Sequence, residues 1–183
     1  MAGGQEAAGI SGTAYVATSV DGFIARADGA VDWLPSEGGE ESGEDYGYTG
    51  FMASVDAIVM GRKTYDAVRS LGPWSYGEKP VIVLGGRLVE IPQSLAETVQ
   101  HMDATPREVF RRLAERGFSH IYVDGGVTIQ GFLREGLIKT LIITVIPILI
   151  GAGIPLFGPL AADVRLRHVQ TRQFADGLVQ NTY

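Results

Sequence analysis

The segment Val59-Met60-Gly61-Arg62-Lys63-Thr64-Tyr65 puts two cations at the opening of a helix, directly after an apolar strand. A helix N-terminus is the positive end of the macrodipole, where an acid would be the stabilising choice by ~0.3–1 kcal/mol. Arg62 and Lys63 therefore work against local stability. Together with the free amides and the Thr64 hydroxyl they form a site for a phosphate-bearing ligand, the plain alternative being two solvated surface cations. Tyr122-Val123-Asp124-Gly125-Gly126-Val127 is a second place of this kind. Its two glycines let the backbone approach a ligand while the following helix aims its amides there, although such a pair also serves simple tight turns. The third is Leu84-Gly85-Gly86-Arg87, again at a strand end, where Arg87 suits a ribose phosphate. Three donor-bearing strand ends in an acidic chain are better explained by one extended dinucleotide than by chance. None follows G-x-G-x-x-G, so an ordinary Rossmann site is not encoded.

Other chemistries find little support. His101, His120 and His168 are too scattered for a ligand set and none has a partner four residues away, so no metal is expected. The absence of cysteine removes disulfides, thiolate metal sites and thiol nucleophiles, and fits a cytoplasmic protein. No G-x-S-x-G is present for a serine nucleophile. A net charge of −6 supplies no field toward nucleic acid or anionic lipid. The most apolar stretch, 141–150, contains Thr144 and Pro147 and is far shorter than the ~20 residues a membrane span needs. Residues 1–12 carry no basic n-region or apolar core and read as a disordered tail, not a signal peptide.

The elements that must hold these loops are readable in outline. At 183 residues and 45% hydrophobic, the chain is expected to form one domain over 13–183. Residues 13–19 alternate as a strand, 20–22 break it, and 23–25 resume as a second strand segment. The acidic, glycine-rich stretch 26–44 is expected to be a mobile loop. A short amphipathic helix follows over 45–54. Buried strands are expected at 57–60, 80–84, 119–123 and 137–148, the last apolar on both faces. Helices are expected from Gly61 to Leu71, from the capping box Thr105-Pro106-Arg107-Glu108 to Gly117, and over 127–135. Residues 164–174 and 178–183 flank Ala175-Asp176-Gly177 as a hairpin. This alternation, closed by an antiparallel pair, implies an α/β fold: three layers, α/β/α, with a mixed central sheet.

With those loops placed, Ala57 to Tyr65, Val83-Leu84-Gly85-Gly86-Arg87 and Val123-Asp124-Gly125-Gly126 resemble the three cofactor loops of dihydrofolate reductase. Ser19-Val20-Asp21-Gly22-Phe23-Ile24-Ala25 and the run from Ile146 to Phe157 (IPILIGAGIPLF) resemble more closely the reductase domain of riboflavin biosynthesis, the RibD C-terminal domain, and its stand-alone relatives. The resemblance covers 13–183 and implies NADPH as hydride donor and a homodimer, for which the two-faced apolar strand 137–148 would be the interface. It implies that Gly61, Arg62, Lys63 and Thr64 bind the adenosine-side phosphates and pyrophosphate. Leu84, Gly85, Gly86 and Arg87 would lie at the 2′-phosphate, where Gly85 replaces a hydroxyl residue of many relatives and leaves more to Arg87. Gly125, Gly126, Val127 and Thr128 would hold the pyrophosphate from the other side, with Gly126 kept free of a side chain by the ligand and by a positive φ.

On the substrate side the resemblance implies roles for Trp33, Gly151 and Gly153. Asp45 stands at the register of the folate enzymes' pteridine-binding carboxylate, in which case it would be desolvated with a raised pKa; otherwise it caps a helix. Asp21 lies at the nicotinamide end or merely in a hairpin turn. Trp74 walls the pocket or anchors a loop. The implied reaction is the NADPH-dependent reduction of 5-amino-6-(5-phosphoribosylamino)uracil, by hydride transfer to a pyrimidine- or pterin-type substrate. A dihydrofolate or pterin reductase and a non-catalytic NADPH-binding module are the alternatives. No deaminase zinc pattern is present, so a separate reductase is expected.

Overall fold

The computed structural model describes residues 9–34 and 44–183. Its strands are β1 (Ser11–Ser19), β2 (Phe23–Ala25), β3 (Ala57–Gly61), β4 (Val81–Leu84), β5 (Val99–Met102), β6 (His120–Asp124), β7 (Ile138–Ile146), β8 (Ile154–Pro155), β9 (Gln170–Gln173) and β10 (Val179–Thr182). Its α-helices are α1 (Tyr48–Ser54), α2 (Arg62–Ser70), α3 (Pro106–Glu115) and α4 (Gly126–Arg134). Residues 1–8 of the expected tail and 35–43 of the expected loop lie outside the described residues; the tail does not reach residue 12, because Ile10 is buried in the core and Ser11 and Gly12 already belong to β1. Residues 26–34 form a turn closed by Arg26 and Asp32, with Nε to Oδ1 at 2.6 Å, and by Arg26 N–H to the Ala30 carbonyl at 2.8 Å.

Eight strands form one sheet in the order β5-β4-β3-β6-β1-β7-β10-β9. The first six run parallel, and β10 and β9 close the sheet antiparallel. One face packs Phe51 of α1 and Tyr65 of α2 on Ile58, Met60, Val81 and Tyr122. The other packs Val109, Phe110 and Leu113 of α3 and Ile129 and Phe132 of α4 on Val59, Ile82 and Ile121. Burial on both faces is why β3, β4 and β6 read as unbroken apolar runs. The capping box holds in half: the Thr105 hydroxyl accepts the Glu108 N–H at 3.4 Å, while the Glu108 carboxylate pairs with Arg111 and Arg112.

The structure adds detail to the expected elements and corrects some of them. The break at 20–22 and the second strand at 23–25 are as expected; beyond that, β2 leaves the sheet and pairs with β8 in a two-stranded ribbon, the Ser19 Oγ taking the Phe23 N–H where the chain turns. β5 was not expected; its Val99 and Met102 are buried around outward-facing Gln100 and half-buried His101, a pattern without strict alternation. β7 is an interior strand between β1 and β10, so both of its edges are paired within the chain, while Ile138, Ile142, Ile143 and Val145 on its faces stay half-buried. Only 170–173 of the 164–174 segment form a strand; 163–169 are exposed and join no ladder among the described residues.

Candidate functional site

The parallel strands all end along one edge of the sheet, so the three glycine loops and the turn after β1 stand in a row. At its middle, β3 and β6 are neighbours, yet the helices that follow them go to opposite faces, α2 to one and α4 to the other. Such a switch point leaves a crevice at the carboxyl ends of the strands, the usual ligand position in open α/β sheets.

The two helix N-termini are clasped across this crevice. A Cβ on Gly61 would stand 2.9 Å from the Thr128 hydroxyl of α4, and one on Gly125 would collide with the Thr64 hydroxyl of α2. Gly125 also has φ +86° and ψ 134°, a backbone that side chains rarely tolerate. Neither helix has a side-chain cap at its start or an acid in its first turn. Two sets of free amides therefore converge with Arg62 and Lys63, both exposed, and this donor set fits a pyrophosphate.

The remaining sequence-derived positions sort by geometry. Gly85 and Gly86 follow β4; a Cβ on Gly85 would meet Arg62 Cβ at 3.9 Å, which brings the first and third loops together. Arg87 is exposed, and Leu84 packs into the core beneath α3 and α4. Val127 is 75% exposed in the first turn of α4. Gly126 differs from expectation: its φ is not positive, and a Cβ there would meet Ile24 Cδ1 at 2.7 Å and Ile154 Cγ2 at 3.4 Å. Its smallness serves the packing of α4 on the β2–β8 ribbon.

At the ends of β1 and β7, the Asp21 carboxylate accepts the Gly151 N–H at 2.7 Å and the Ile150 N–H at 3.3 Å. The Ser19 hydroxyl and these amides hold its carboxyl below the usual carboxylate range. Gly153 is required by the approach of the Ala25 carbonyl, which a Cβ would strike. Asp21, Gly151 and Gly153 are thus brought together. Trp33 is buried among Ile146, Leu178 and Phe174, and its indole N–H finds no partner among the described residues. Trp74 stands edge-on to Tyr65 and Tyr76 and anchors that loop.

Asp45 is elsewhere, at the entrance to α1. Its two oxygens accept the Gly47 N–H at 2.8 Å and the Thr49 N–H at 3.0 Å. The residue is exposed, and those amides, Gly47 first, lower its pKa. The desolvated, raised carboxyl expected of a ring-binding acid is not its environment; the helix-start contacts are. Asp45→Asn, with one oxygen instead of two, is expected to lower the melting temperature and keep kcat/KM near the wild-type value. Steady-state turnover beside a thermal melt checks this.

The acid that sequence reasoning passed over is Asp124. It ends β6 at the crevice, and its Oδ1 accepts the Gly125 N–H at 2.7 Å. Burial pushes its carboxyl up to about 6, against opposing hydrogen bonds from Gly125, Tyr122 and Tyr76. A half-buried acid with a raised pKa beside a ligand cleft is a physical marker of a working site. The available signal was an acid placed between the apolar run Ile121-Tyr122-Val123 and two glycines.

The family model of the RibD C-terminal domain matches residues 11–180, nearly the whole chain. This chain belongs to the RibD C-terminal domain family. The uncharacterized protein YwjB of Bacillus subtilis is 38% identical over 167 residues, covering 90% of this chain and 92% of YwjB. A solved structure of a Shewanella sp. PV-4 protein named for riboflavin biosynthesis superposes with TM-score 0.88 at 39% identity, covering 95% of this chain and 98% of that one. The riboflavin biosynthesis protein RibD of Mycobacterium tuberculosis is 32% identical over 162 residues, which are 80% of this chain but 43% of RibD. The chain therefore spans less than half of that relative. The architecture of this RibD C-terminal domain is the dihydrofolate reductase-like α/β fold read from the sequence.

Proposed function

We propose that this RibD C-terminal domain is an NADPH-dependent reductase that transfers hydride to a small pyrimidine- or pterin-type substrate, as 5-amino-6-(5-phosphoribosylamino)uracil reductase does in riboflavin synthesis. The observation that carries the reading is the Gly61–Thr128 and Gly125–Thr64 clasp, which joins two uncapped helix starts at the switch point. The residues present fit NADPH: the clasp for the pyrophosphate, and Arg62 and Arg87 with Gly85 and Gly86 for the adenosine phosphates. When bound, NADPH supplies the hydride. The chain supplies placement and proton handling. Asp21 fixes the 150–151 backbone at the ends of β1 and β7, the uncommitted Trp33 N–H offers a donor beneath the same region, and Asp124, its carboxyl raised to about 6, can exchange a proton close to neutral pH.

The test is a titration with NADPH followed by its absorbance loss against a panel of a phosphoribosylamino-pyrimidine, dihydrofolate and a pterin. Turnover on the pyrimidine supports the reading. Binding with turnover on none of the three overturns catalysis and leaves the non-catalytic module.

The proposal includes a homodimer, for which the exposed segment before β9 is a further candidate surface beside β7. Val164, Leu166 and Val169 are each at least half exposed on the irregular chain that leads into β9, the edge strand of the sheet. Exposed apolar chain next to a sheet edge is a natural pairing surface. Leu166→Glu is expected to turn a sedimenting dimer into a monomer; a wild type that is monomeric throughout the micromolar range overturns the dimer.

A further inference from the structure

The loop after β4 is bordered by two side chains from β5 and its end. His101 Nε2 is 2.6 Å from the Gly85 carbonyl oxygen, so its N–H donates there and fixes the loop. Asp103, one residue past β5, is exposed. Both of its carboxylate oxygens lie 3.9 Å from the point where a Cβ on Gly86 would stand. Among the described residues Asp103 has no hydrogen-bond or ion-pair partner. An uncommitted carboxylate thus faces the glycine loop that lies beside Arg62, in a place where Gly85 and Gly86 supply no hydroxyl.

A carboxylate in such a position does two things. It accepts hydrogen bonds from a vicinal diol, the way an acid binds a ribose 2′-hydroxyl in dinucleotide sites. It also repels a phosphate ester on that same oxygen. We propose that Asp103 is a specificity-determining residue that binds the adenosine ribose and offsets the attraction of Arg62 and Arg87 for a 2′-phosphate. Asp103 then narrows, without reversing, the preference of the site for NADPH over NADH. This inference rests on the reading that a nicotinamide dinucleotide lies along the strand ends.

The experiment is a calorimetric titration of NADPH and of NADH into wild type, Asp103→Asn and Asp103→Ala, at low and at high salt. Asp103→Asn is expected to tighten NADPH about tenfold and to leave NADH within about twofold, since the amide oxygen still accepts from the ribose. The tightening should shrink at ~1 M salt, where the Debye length falls to about 3 Å. Asp103→Ala is expected to weaken NADH about fivefold by losing that bond. If both dinucleotides bind but the NADPH/NADH ratio is the same in wild type and Asp103→Asn, Asp103 is no determinant and the dinucleotide reading stands. If neither binds the wild type, the dinucleotide reading falls and this inference falls with it.

Discussion

Replacing Gly125 by alanine is expected to lower NADPH affinity by ~100-fold or more while the domain remains folded with a reduced melting temperature. The backbone of Gly125, at φ +86° and ψ 134°, costs an L residue on the order of 1–3 kcal/mol. The new Cβ also strikes the Thr64 hydroxyl and lies 3.3 Å from Thr64 Cβ, so the starts of α2 and α4 must move apart. Two charge-assisted bonds to the pyrophosphate, each worth ~1.5–3 kcal/mol, then lose their geometry, and about 2.7 kcal/mol is already 100-fold in affinity. Pairing the change with Thr64→Ala removes the hydroxyl that is struck. The double variant should regain part of the melting temperature, and the cycle of four proteins measures how far the two loops are coupled. Wild-type affinity in a folded Gly125→Ala variant would mean that the glycine serves only the turn.

That clasp shows where sequence reading stops. The runs that became β3, β4 and β6 were legible because strands buried on both faces are apolar at every position. Each glycine loop was legible because it follows such a run. The adjacency of β3 and β6 was not, because it depends on the crossover that carries the chain through β4, β5 and α3 and back. Without that adjacency Gly125 and Gly126 look equivalent. In the folded chain one meets Thr64 and the other meets Ile24. Asp45 illustrates the opposite error. Its distance from Gly61 matched a substrate-binding register, but its oxygens are taken by amides two and four residues away. Short-range backbone bonds of this kind compete with any long-range role, and the sequence admits both. β5 was missed because a strand with few apolar positions and a loop give the same pattern.

Asp124 was illegible for a related reason, since its environment is built by Tyr76 and Tyr122 as well as by its own strand. Its carboxyl sits at about 6 in the folded protein against 3.8 ordinarily, burial being the main cause. The native state therefore holds this proton more tightly than the unfolded chain does. Its contribution to stability is intact below about pH 4, is lost as the pH rises toward 6, and above that the buried charge costs up to about 3 kcal/mol. Asp124→Asn keeps an oxygen to accept the Gly125 N–H and removes the ionisation. The variant is expected to match wild type at pH 4 and to exceed it at pH 8 by about 2–3 kcal/mol, measured by urea melts across that range. Turnover should move the other way, falling by the ~10²–10⁴-fold of a lost general acid or base. A stability gain joined to an activity loss is the signature of a charge kept in place for chemistry. If the pH dependence of unfolding is the same in both proteins, Asp124 is not an acid of raised pKa, and the proton donor must be sought beside Asp21 at the ends of β1 and β7.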